Sequence, residues 1–500
     1  MKQALLSFAL LASAASVYAG DYLTNTNQHV SFLRNPARNA STEIDAIYSN
    51  PAGIAFLPEG WHLSLNIQSA YQTRLINSTF APFAANANNS ADASGKKRFK
   101  GEASAPVIPS VYAAYKRDKW TFATSFALSG GGGKATFNSG LPSFEAPVSL
   151  IPASLNAAST AMQVSKYSFD TYMQGRQYIF GLNIGAAYKI KENLSVYLGG
   201  RINYVSNHYE GYLRNISANI GGTDAMIPLN AYFTAAATQY ATAAAQYTAA
   251  AAQYTAAGDA ANAAIATATA AQYNTAAARA TATAQSTADK ELDCDQSGWG
   301  FTPIIGVDYK VGKFNFGAKY EFRTHLNIQN QTKINTTGFA SFSDGVNTPH
   351  DIPAQLSLGA SYEAVKGVNI SAGYHHFFDK NARMGSDRQK TLDRGTNEYL
   401  LGVEWDITPR IKVSTGGQIT SYGVTDDFQQ DLSFYCSSYS LGFGAQFKLS
   451  EKIKLNVAYF FTDYKNYEKT FDNYYNTSLP GKDVYKRTNT VIGAGIDISL

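Results

Sequence analysis

The amino-acid sequence predicts an all-β protein: a fourteen-stranded antiparallel transmembrane β-barrel with a small N-terminal plug, or hatch, in its lumen and a helical Ala-rich insert in an extracellular loop. Three observations predict it. Only 16% of the 500 residues are charged, against roughly 25% in soluble domains, whereas 13% are aromatic. From about residue 60 the chain falls into alternating segments about ten residues long, as membrane β-strands do. Many segments also end in an aromatic–charge pair.

The composition excludes other classes of protein. No run of about 20 apolar residues follows the N-terminal leader, so a bundle of transmembrane helices is excluded. The formal net charge is +4 and the longest basic run is Lys96-Lys97-Arg98, which gives no support for nucleic-acid binding.

Residues 1–19 have the features of a secretory signal peptide. Lys2 supplies the positive charge, Ala4–Ala15 form the apolar core, and Val17-Tyr18-Ala19 is a small-residue cleavage site. We expect cleavage after Ala19. The alternative, a retained anchor, is disfavoured because the apolar core is too short to span a bilayer.

Residues 20–58 are predicted to form the plug. The stretch lacks β alternation and holds Asn35-Pro36-Ala37 and Asn50-Pro51-Ala52-Gly53, in which proline and glycine favour tight turning. The inward row of the later strands is rich in glycine, which weakens a strand unless something must approach closely. The sequence therefore predicts a filled lumen, with a disordered leader as the alternative.

Residues 59–500 are predicted to form the barrel. In the first strand Trp61, Leu65 and Ile67 share one face, and His62 and Asn66 share the other. An even strand number places both chain ends of a bacterial barrel on one side. The fourteen strands are predicted to start near Trp61, Val107, Trp120, Tyr178, Leu194, Trp299, Phe314, Ile352, Val368, Tyr399, Ile411, Tyr439, Ile453 and Thr490.

Six segments end in an outward aromatic residue followed by a charge and a tight turn, which predicts that all six turns lie at one membrane face. These pairs are Tyr115-Lys116, Tyr188-Lys189, Tyr309-Lys310, Tyr362-Glu363, Trp405-Asp406 and Phe447-Lys448. Six charged residues fall on the face opposite the apolar row, where they avoid lipid: Arg201, Asp308, Lys319, Glu321, Glu404 and Asp497.

Residues 230–288 form a low-complexity block of Ala, Thr, Gln and Tyr within a long outer loop. Tyr240, Tyr247 and Tyr254 recur every seven residues, which keeps them on one stripe of a helix, and Gly258-Asp259 interrupts the pattern. A helical hairpin is predicted, with a flexible decoration as the alternative. Cys294 and Cys436 are both predicted on the outer side, where they could form a disulfide or stay free thiols.

A run of four glycines, Gly130, Gly131, Gly132 and Gly133, stands at the predicted outer end of the third strand. Four glycines hold a regular ladder poorly and readily bulge or kink. The run therefore predicts either a kink in the barrel wall or the start of a flexible loop.

One segment of the predicted plug is Asp45-Ala46-Ile47-Tyr48-Ser49-Asn50-Pro51-Ala52-Gly53-Ile54-Ala55-Phe56-Leu57. It resembles the N-terminal motif of the FadL/TodX family of outer-membrane transporters for long-chain fatty acids and other hydrophobic compounds. Ala105-Pro106-Val107-Ile108-Pro109 resembles the family's entry to the second strand, and Trp120–Phe137 resembles its third strand. The resemblance implies a fourteen-stranded barrel, a hatch motif at Asp45, Asn50, Pro51, Ala52 and Gly53, and a third strand kinked to open a gap in the wall. The Ala-rich insert lies outside the family pattern.

The chain carries no catalytic signature: H-E-x-x-H, G-x-S-x-G, the P-loop and G-x-G-x-x-G motifs are all missing from it. We therefore expect no enzyme activity, catalytic residue, metal or cofactor. The expected function is passive uptake of a hydrophobic small molecule, such as a long-chain fatty acid, by a monomer in the Gram-negative outer membrane, in contact with its lipid and with lateral release near Gly130–Gly133. The alternatives are a general diffusion porin and a surface adhesin that uses the Ala-rich loop.

Overall fold

The computed structural model describes residues 27–88 and 90–500. The predicted signal peptide and the first residues of the predicted plug lie outside the described residues. The described chain confirms the predicted fold: fourteen long antiparallel strands form one closed barrel around the N-terminal segment. Among the described residues, no helix combines the length and the apolar character needed to cross a membrane.

The strands are numbered β1 to β14 in chain order. They are β1 Gly60–Thr79, β2 Lys96–Arg117, β3 Trp120–Phe137, β4 Tyr167–Lys191, β5 Leu194–Asn219, β6 Lys290–Val311, β7 Phe314–Glu321, β8 Gln355–Val365, β9 Val368–Phe377, β10 Thr396–Thr408, β11 Ile411–Ser421, β12 Ser438–Lys448, β13 Ile453–Tyr464 and β14 Gly481–Ser499. Four shorter strands extend the sheet above the barrel: Met226–Pro228, Asn327–Asn335, Asn347–Pro349 and Tyr467–Phe471.

The barrel closes because β1 pairs with β14 along its length, from His62 opposite Ser499 to Thr79 opposite Lys482. This pairing leaves no exposed edge on the first and last strands, as a membrane barrel requires. All six predicted aromatic–charge turns join neighbouring strands at the end where the described chain enters and leaves the barrel. That end is the periplasmic side, since membrane barrels have short periplasmic turns and long outer loops.

A belt of exposed apolar and aromatic side chains surrounds the wall. On β1 Trp61 and Ile67 are exposed while His62 and Asn66 are buried, and the other strands alternate in the same way. An outward apolar band with aromatic borders is the lipid-facing surface of a transmembrane barrel. We call this band the apolar belt.

Several strands begin well before their predicted starts. β2 begins at Lys96 rather than near Val107, and β14 begins at Gly481 rather than near Thr490. Above the apolar belt the apolar side chains face the barrel interior and the polar ones face outward. Phe99 is buried inside the barrel, whereas Arg98 and Lys100 are exposed outside it. The outward apolar row ends at this reversal, although the hydrogen-bonded ladder continues.

The short helices occur in the N-terminal segment and the outer loops. α1 Val30–Arg34 and α2 Ala46–Ser49 lie in the N-terminal segment, with a 3₁₀ turn over Pro51–Phe56. α3 Pro142–Ser149 and α4 Ile151–Ala158 follow β3.

The Ala-rich insert forms the predicted helical hairpin. α5 Leu229–Ala256 and α6 Ala260–Ser286 are joined by Gly258, whose φ of +75° ends α5, and Asp259, whose side chain accepts a hydrogen bond from the Asn262 N–H. Buried alanines, including Ala244 and Ala270, let the two helices approach closely. The base of the hairpin packs on the top of β5 through a shared apolar cluster.

Candidate functional site

Residues 27–58 lie inside the barrel and form a hatch. The 3₁₀ turn Pro51–Phe56 packs against β4, β5 and β6 through an apolar cluster, whereas α1 packs against β12, β13 and β14 through another. The hatch therefore bridges opposite sides of the wall. Its Asn35 and Asn50 are both fully buried.

The inward glycines of the wall make room for the hatch. A Cβ atom on Gly402 would lie 1.8 Å from Oδ1 of Asn35, and one on Gly317 would lie 2.2 Å from the backbone oxygen of Asn39. No side chain fits at such distances, because real Cβ contacts essentially never fall below 3.0 Å. Close approach of the hatch is thus the physical reason for glycine at these two wall positions.

A buried ion network ties the hatch to β10. The Arg38 guanidinium donates to both carboxylate oxygens of Asp45 at 2.7 and 2.8 Å, to Glu43 at 2.8 Å and to Glu404 at 2.9 Å. Arg34 donates to the other Glu404 oxygen at 2.6 Å. Buried ion pairs of this kind are costly to break, because one partner is left as an uncompensated charge. We call this network of Arg34, Arg38, Glu43, Asp45 and Glu404 the hatch latch.

The motif around Asn50 makes the second connection, to β5 and β6. Asn50 Nδ2 donates to the backbone oxygen of Ser41 at 3.0 Å and also to the Asp308 carboxylate of β6. The Ser195 hydroxyl donates to the Ala52 carbonyl at 2.7 Å. The structure therefore places Asp45 and Asn50 at the two ends of α2, where Asn50 contacts the wall and Asp45 pairs with Arg38 inside the hatch. Gly53 approaches the Ser41 oxygen too closely for any Cβ atom.

An inward-facing charge cluster stands beside the hatch on β5 and β7. Arg201 pairs with Glu321, and Lys319 donates to Glu321 at 2.7 Å and to the Tyr48 backbone oxygen at 2.8 Å. The sequence predicted that these wall charges face inward, and the structure shows their partners. They leave the lumen polar at the level of the hatch.

An apolar chamber lies above the hatch, beneath the outer loops. It consists of buried side chains from β1 to β6, β13, β14 and the loops, including Ile76, Phe80, Phe83, Phe99, Phe137, Met173, Tyr209, Phe434, Tyr474 and Tyr485. The aromatic rings pack edge-on or stacked, for example Phe80 and Tyr474 at 4.6 Å between centroids. The chamber is thus a packed apolar region at the extracellular mouth of a polar lumen.

Two cavities continue from this chamber towards the wall. The smaller, about 40 Å³, is lined by Phe137, Met173, Tyr209 and Gly133. The larger, about 110 Å³, is also lined by Gly133, together with residues of the hatch and of β1 to β4 and β14 such as Gln28, Ala70, Ala105, Leu128 and Val491. Gly133 therefore stands between the two cavities.

The ladder between β2 and β3 is interrupted where the larger cavity meets the wall. The strands pair from Val111 to Arg117 and again from Gly101 to Ala103, but residues 104–110 of β2 and 127–134 of β3 do not pair with each other. Pro106 and Pro109 of β2 lie in the unpaired stretch, and proline has no N–H to donate. We call this interruption the wall break.

The four glycines lie inside β3, which continues to Phe137, rather than at its end. The β3–β4 register slips between Leu128 and Gly130 and again between Gly130 and Gly133. Gly131 has a φ of +108°, and a Cβ atom there would lie 2.4 Å from the Gln177 backbone oxygen. The glycine run therefore forms one side of the wall break.

Both cysteines belong to the apolar chamber. Cys294 lies within β6, and Cys436 lies just before β12. The two are not bonded to each other in the structure: Cys294 Sγ accepts from the Thr332 hydroxyl at 3.2 Å, and Cys436 Sγ contacts the Tyr485 carbonyl at 3.7 Å. The disulfide stays a prediction.

Sequence reasoning missed two features of the site. Nothing in the sequence indicates the roles of Arg34 and Arg38, because the hatch has no periodic pattern from which its contacts with the wall could be deduced. Pro106 and Pro109 were noted only within the family resemblance, although two prolines in a strand are a signal for a broken ladder.

Comparisons with known proteins agree on the fold. No protein-family model matches the chain, and no curated protein sequence matches it significantly. A solved FadL homologue from Pseudomonas aeruginosa matches with a TM-score of 0.59 and 11% identity, covering 96% of this chain and 99% of that chain. The toluene transporter TodX of P. putida matches with a TM-score of 0.50 and 13% identity, covering 92% and 94%. The chain thus has the FadL/TodX-type fold, a transmembrane barrel of the outer-membrane type.

Proposed function

We propose that this protein is an outer-membrane transporter for passive uptake of hydrophobic small molecules such as long-chain fatty acids, with lateral release through the wall break. The observation that carries the proposal is the continuity of the apolar chamber, the two cavities and the wall break. The names of the two solved relatives, a FadL homologue and a toluene transporter, support the class of ligand.

The physical chemistry of an apolar ligand favours this route. Such a molecule gains about 0.8 kcal/mol for each CH₂ group that leaves water, so it binds the apolar chamber readily. Below the chamber the lumen carries buried charges beside the hatch, where Arg201 pairs with Glu321. Release through the side of the barrel passes through the larger cavity, which mixes apolar residues with Gln68, Arg487 and Asn489, and it avoids the charged lumen and the periplasmic water below.

The wall break lies at the right height for such a release. On β1, Gln68 is opposite Ile108 and Ala70 is opposite Ala105, so the break stands beside the upper part of the apolar belt. Unpaired backbone is tolerated at membrane depth only where it lines a cavity or is covered by protein. The larger cavity behind the break meets that requirement, and the opening leads to the outer leaflet.

The size of the cavities bears on the ligand. A cavity of about 150 Å³ with apolar walls admits benzene. The larger cavity here, about 110 Å³, is close to that scale and too small for an extended alkyl chain. A fatty acid would therefore require the outer loops or the wall break to widen during passage.

Blocking the wall break with a large side chain tests the route. Ala105 is partly buried in β2, lines the larger cavity and lies beside the unpaired stretch. We expect Ala105→Trp to lower uptake of radiolabelled oleate and of toluene by cells at least fivefold, because the indole ring fills the exit.

Ala318→Trp is the matched control, since Ala318 also lies partly buried on a strand, β7, away from the break. It should leave uptake within twofold of the unmodified protein. Both variants are first checked for normal amounts of folded barrel in the outer membrane. Unchanged uptake by a folded Ala105→Trp variant rejects the lateral route.

A further inference from the structure

The outer surface above the wall break carries a concentration of basic side chains. Seven of them occupy outward or exposed positions on four of the five neighbouring strands from β14 through β4: Lys96, Arg98, Lys100, Lys134, Arg176, Lys482 and Lys486. We call them the basic patch. Lys100 pairs with Glu102, and Lys482 pairs with Glu468 at 2.6 Å. The other five form no salt bridge with any residue that the structure describes.

The strand register gives the height of the basic patch. Lys100 and Lys486 lie on either side of Leu75 of β1, four residues above the exposed belt residue Tyr71. Arg176 lies two residues above Tyr178 on β4. With a rise of about 3.3 Å per residue and a strand tilt of about 40°, these cations stand roughly 5 to 10 Å above the aromatic border of the belt. That is the depth of the lipid headgroups.

The spacing of the cations favours a shared anion. Lys100 and Lys486 are separated by one intervening strand, hence by about 9.6 Å between their backbones. Lys134 and Arg176 are direct cross-strand partners, and like charges placed opposite each other are destabilising. A phosphate group, whose oxygens accept charge-assisted hydrogen bonds from Arg and Lys, relieves this repulsion.

We propose that the basic patch binds the phosphorylated headgroups of outer-leaflet glycolipid. The patch is continuous with the apolar belt below it, where Val107 is 65% exposed and Tyr71 is 52% exposed. A ligand that joins phosphate to acyl chains matches both surfaces at once, whereas a soluble anion matches only the upper one. Basic residues near a membrane surface attract anionic lipids in the same way.

The charge of the outer surface changes at the edge of the patch, which gives the bound lipid a preferred side of the barrel. On β5 and β6, His208 lies 2.8 Å from Asp295, with Asp293 beside them. Lys333 of the short strand Asn327–Asn335 lies 2.9 Å from the same carboxylate. This acidic group meets β4 at the edge of the basic patch, because His208 is opposite Arg176. Phosphorylated lipid is therefore held beside the wall break, where its acyl chains border the proposed exit.

Binding of bis-phosphorylated lipid A to the purified full-length barrel in detergent, followed by native mass spectrometry, tests this proposal. We expect the triple variant Lys100→Gln, Lys134→Gln, Lys486→Gln to raise the Kd for this lipid at least tenfold, because three cations at headgroup depth are lost. Binding to the unmodified protein should also weaken as salt is raised from about 0.05 to 0.5 M.

The matched control removes three exposed lysines from the periplasmic turns: Lys119→Gln, Lys313→Gln, Lys366→Gln. It makes the same change in net charge and should keep the Kd within twofold. Phosphate-free lipid A should bind the unmodified protein as weakly as bis-phosphorylated lipid A binds the triple variant. Unchanged binding by a folded triple variant, or equal binding of the phosphate-free lipid, overturns the proposal.

Discussion

Asp431 shows how one buried side chain holds two outer loops together. Its carboxylate is 2% exposed and accepts hydrogen bonds from the backbone N–H groups of Ser143 and Leu432, each at 2.8 Å. Ser143 lies in the first turn of α3, so Asp431 connects the loop after β3 with the loop between β11 and β12. Burial raises the pKa of the Asp431 carboxyl, because the charged form loses its hydration.

The raised pKa predicts that this loop contact weakens as pH rises. The unfolded pKa of Asp is about 3.9, so the protonated form is favoured in the packed loop. Its contribution to stability is present below pH 4 and is lost as pH rises through the higher, folded pKa. We expect hydrogen exchange of residues 422–437, corrected for intrinsic rates, to become less protected between pH 4 and pH 7.5.

Asp431→Asn separates this effect from other titrations. The amide keeps an oxygen that can accept from the Ser143 N–H but carries no charge. The variant should therefore lose most of the pH dependence of residues 422–437. Protection in the unmodified protein that increases with pH, or an unchanged dependence in the variant, contradicts the assignment to Asp431.

The direction in which single wall residues face could be predicted where strand alternation alone decides it. The inward glycines and charges follow from a period of two, and the structure places Asn35 against Gly402 and Arg38 against Glu404. The identity of these hatch partners could not be predicted, because contacts between a nonperiodic segment and a wall depend on the three-dimensional path of the chain.

At the scale of elements, the reversal of hydrophobic phase limited the prediction of strand length. β7, β11 and β13 begin at the predicted residues, because they start at periplasmic turns inside the apolar belt. Most strands that descend from the outer loops begin earlier than predicted, whereas β8 begins slightly later, at Gln355 rather than near Ile352. Their upper halves pack apolar side chains inward and face water outward, as Phe99 and Lys100 do on β2.

The α5–α6 hairpin is an element attached to the barrel only at its base. Phe233, Ala280 and Ala284 pack against the top of β5, whereas Tyr240 and Tyr247 lie farther out and contact Tyr273. We expect replacement of residues 238–275 by a short Gly-Ser linker to leave oleate uptake within twofold, because the chamber and the wall break lie outside this segment.

The comparison variant for the hairpin deletion changes the chamber and leaves the hairpin intact. Phe99→Ala removes a fully buried ring from the chamber and should reduce uptake while the hairpin stays intact. Binding of cells to a surface, measured in parallel, tests the adhesin alternative. Lost adhesion with normal uptake in the deletion would show that the hairpin has a separate recognition role, whereas lost uptake would contradict the proposed transport route.

At the scale of the whole molecule, the hatch decides whether the barrel conducts ions. The hatch latch fixes it to β10, and Asn50 and Ala52 fix it to β5 and β6, so it bridges the lumen. A general diffusion porin requires an open aqueous lumen instead. Ion conductance therefore distinguishes the porin alternative from the proposed transporter.

We expect the unmodified protein to show little steady conductance in planar lipid bilayers, and Arg38→Ala to show frequent transient openings. Removing Arg38 leaves Asp45 and Glu404 with less compensating charge, and breaking a buried pair costs about 3–5 kcal/mol. Hydrogen exchange of residues 27–58 should accelerate in the variant, whereas exchange of β1 and β14 should not. Arg410→Ala, an exposed arginine at a periplasmic turn, should behave like the unmodified protein. Large steady conductance without any substitution would favour the porin, because a bridged lumen cannot sustain it.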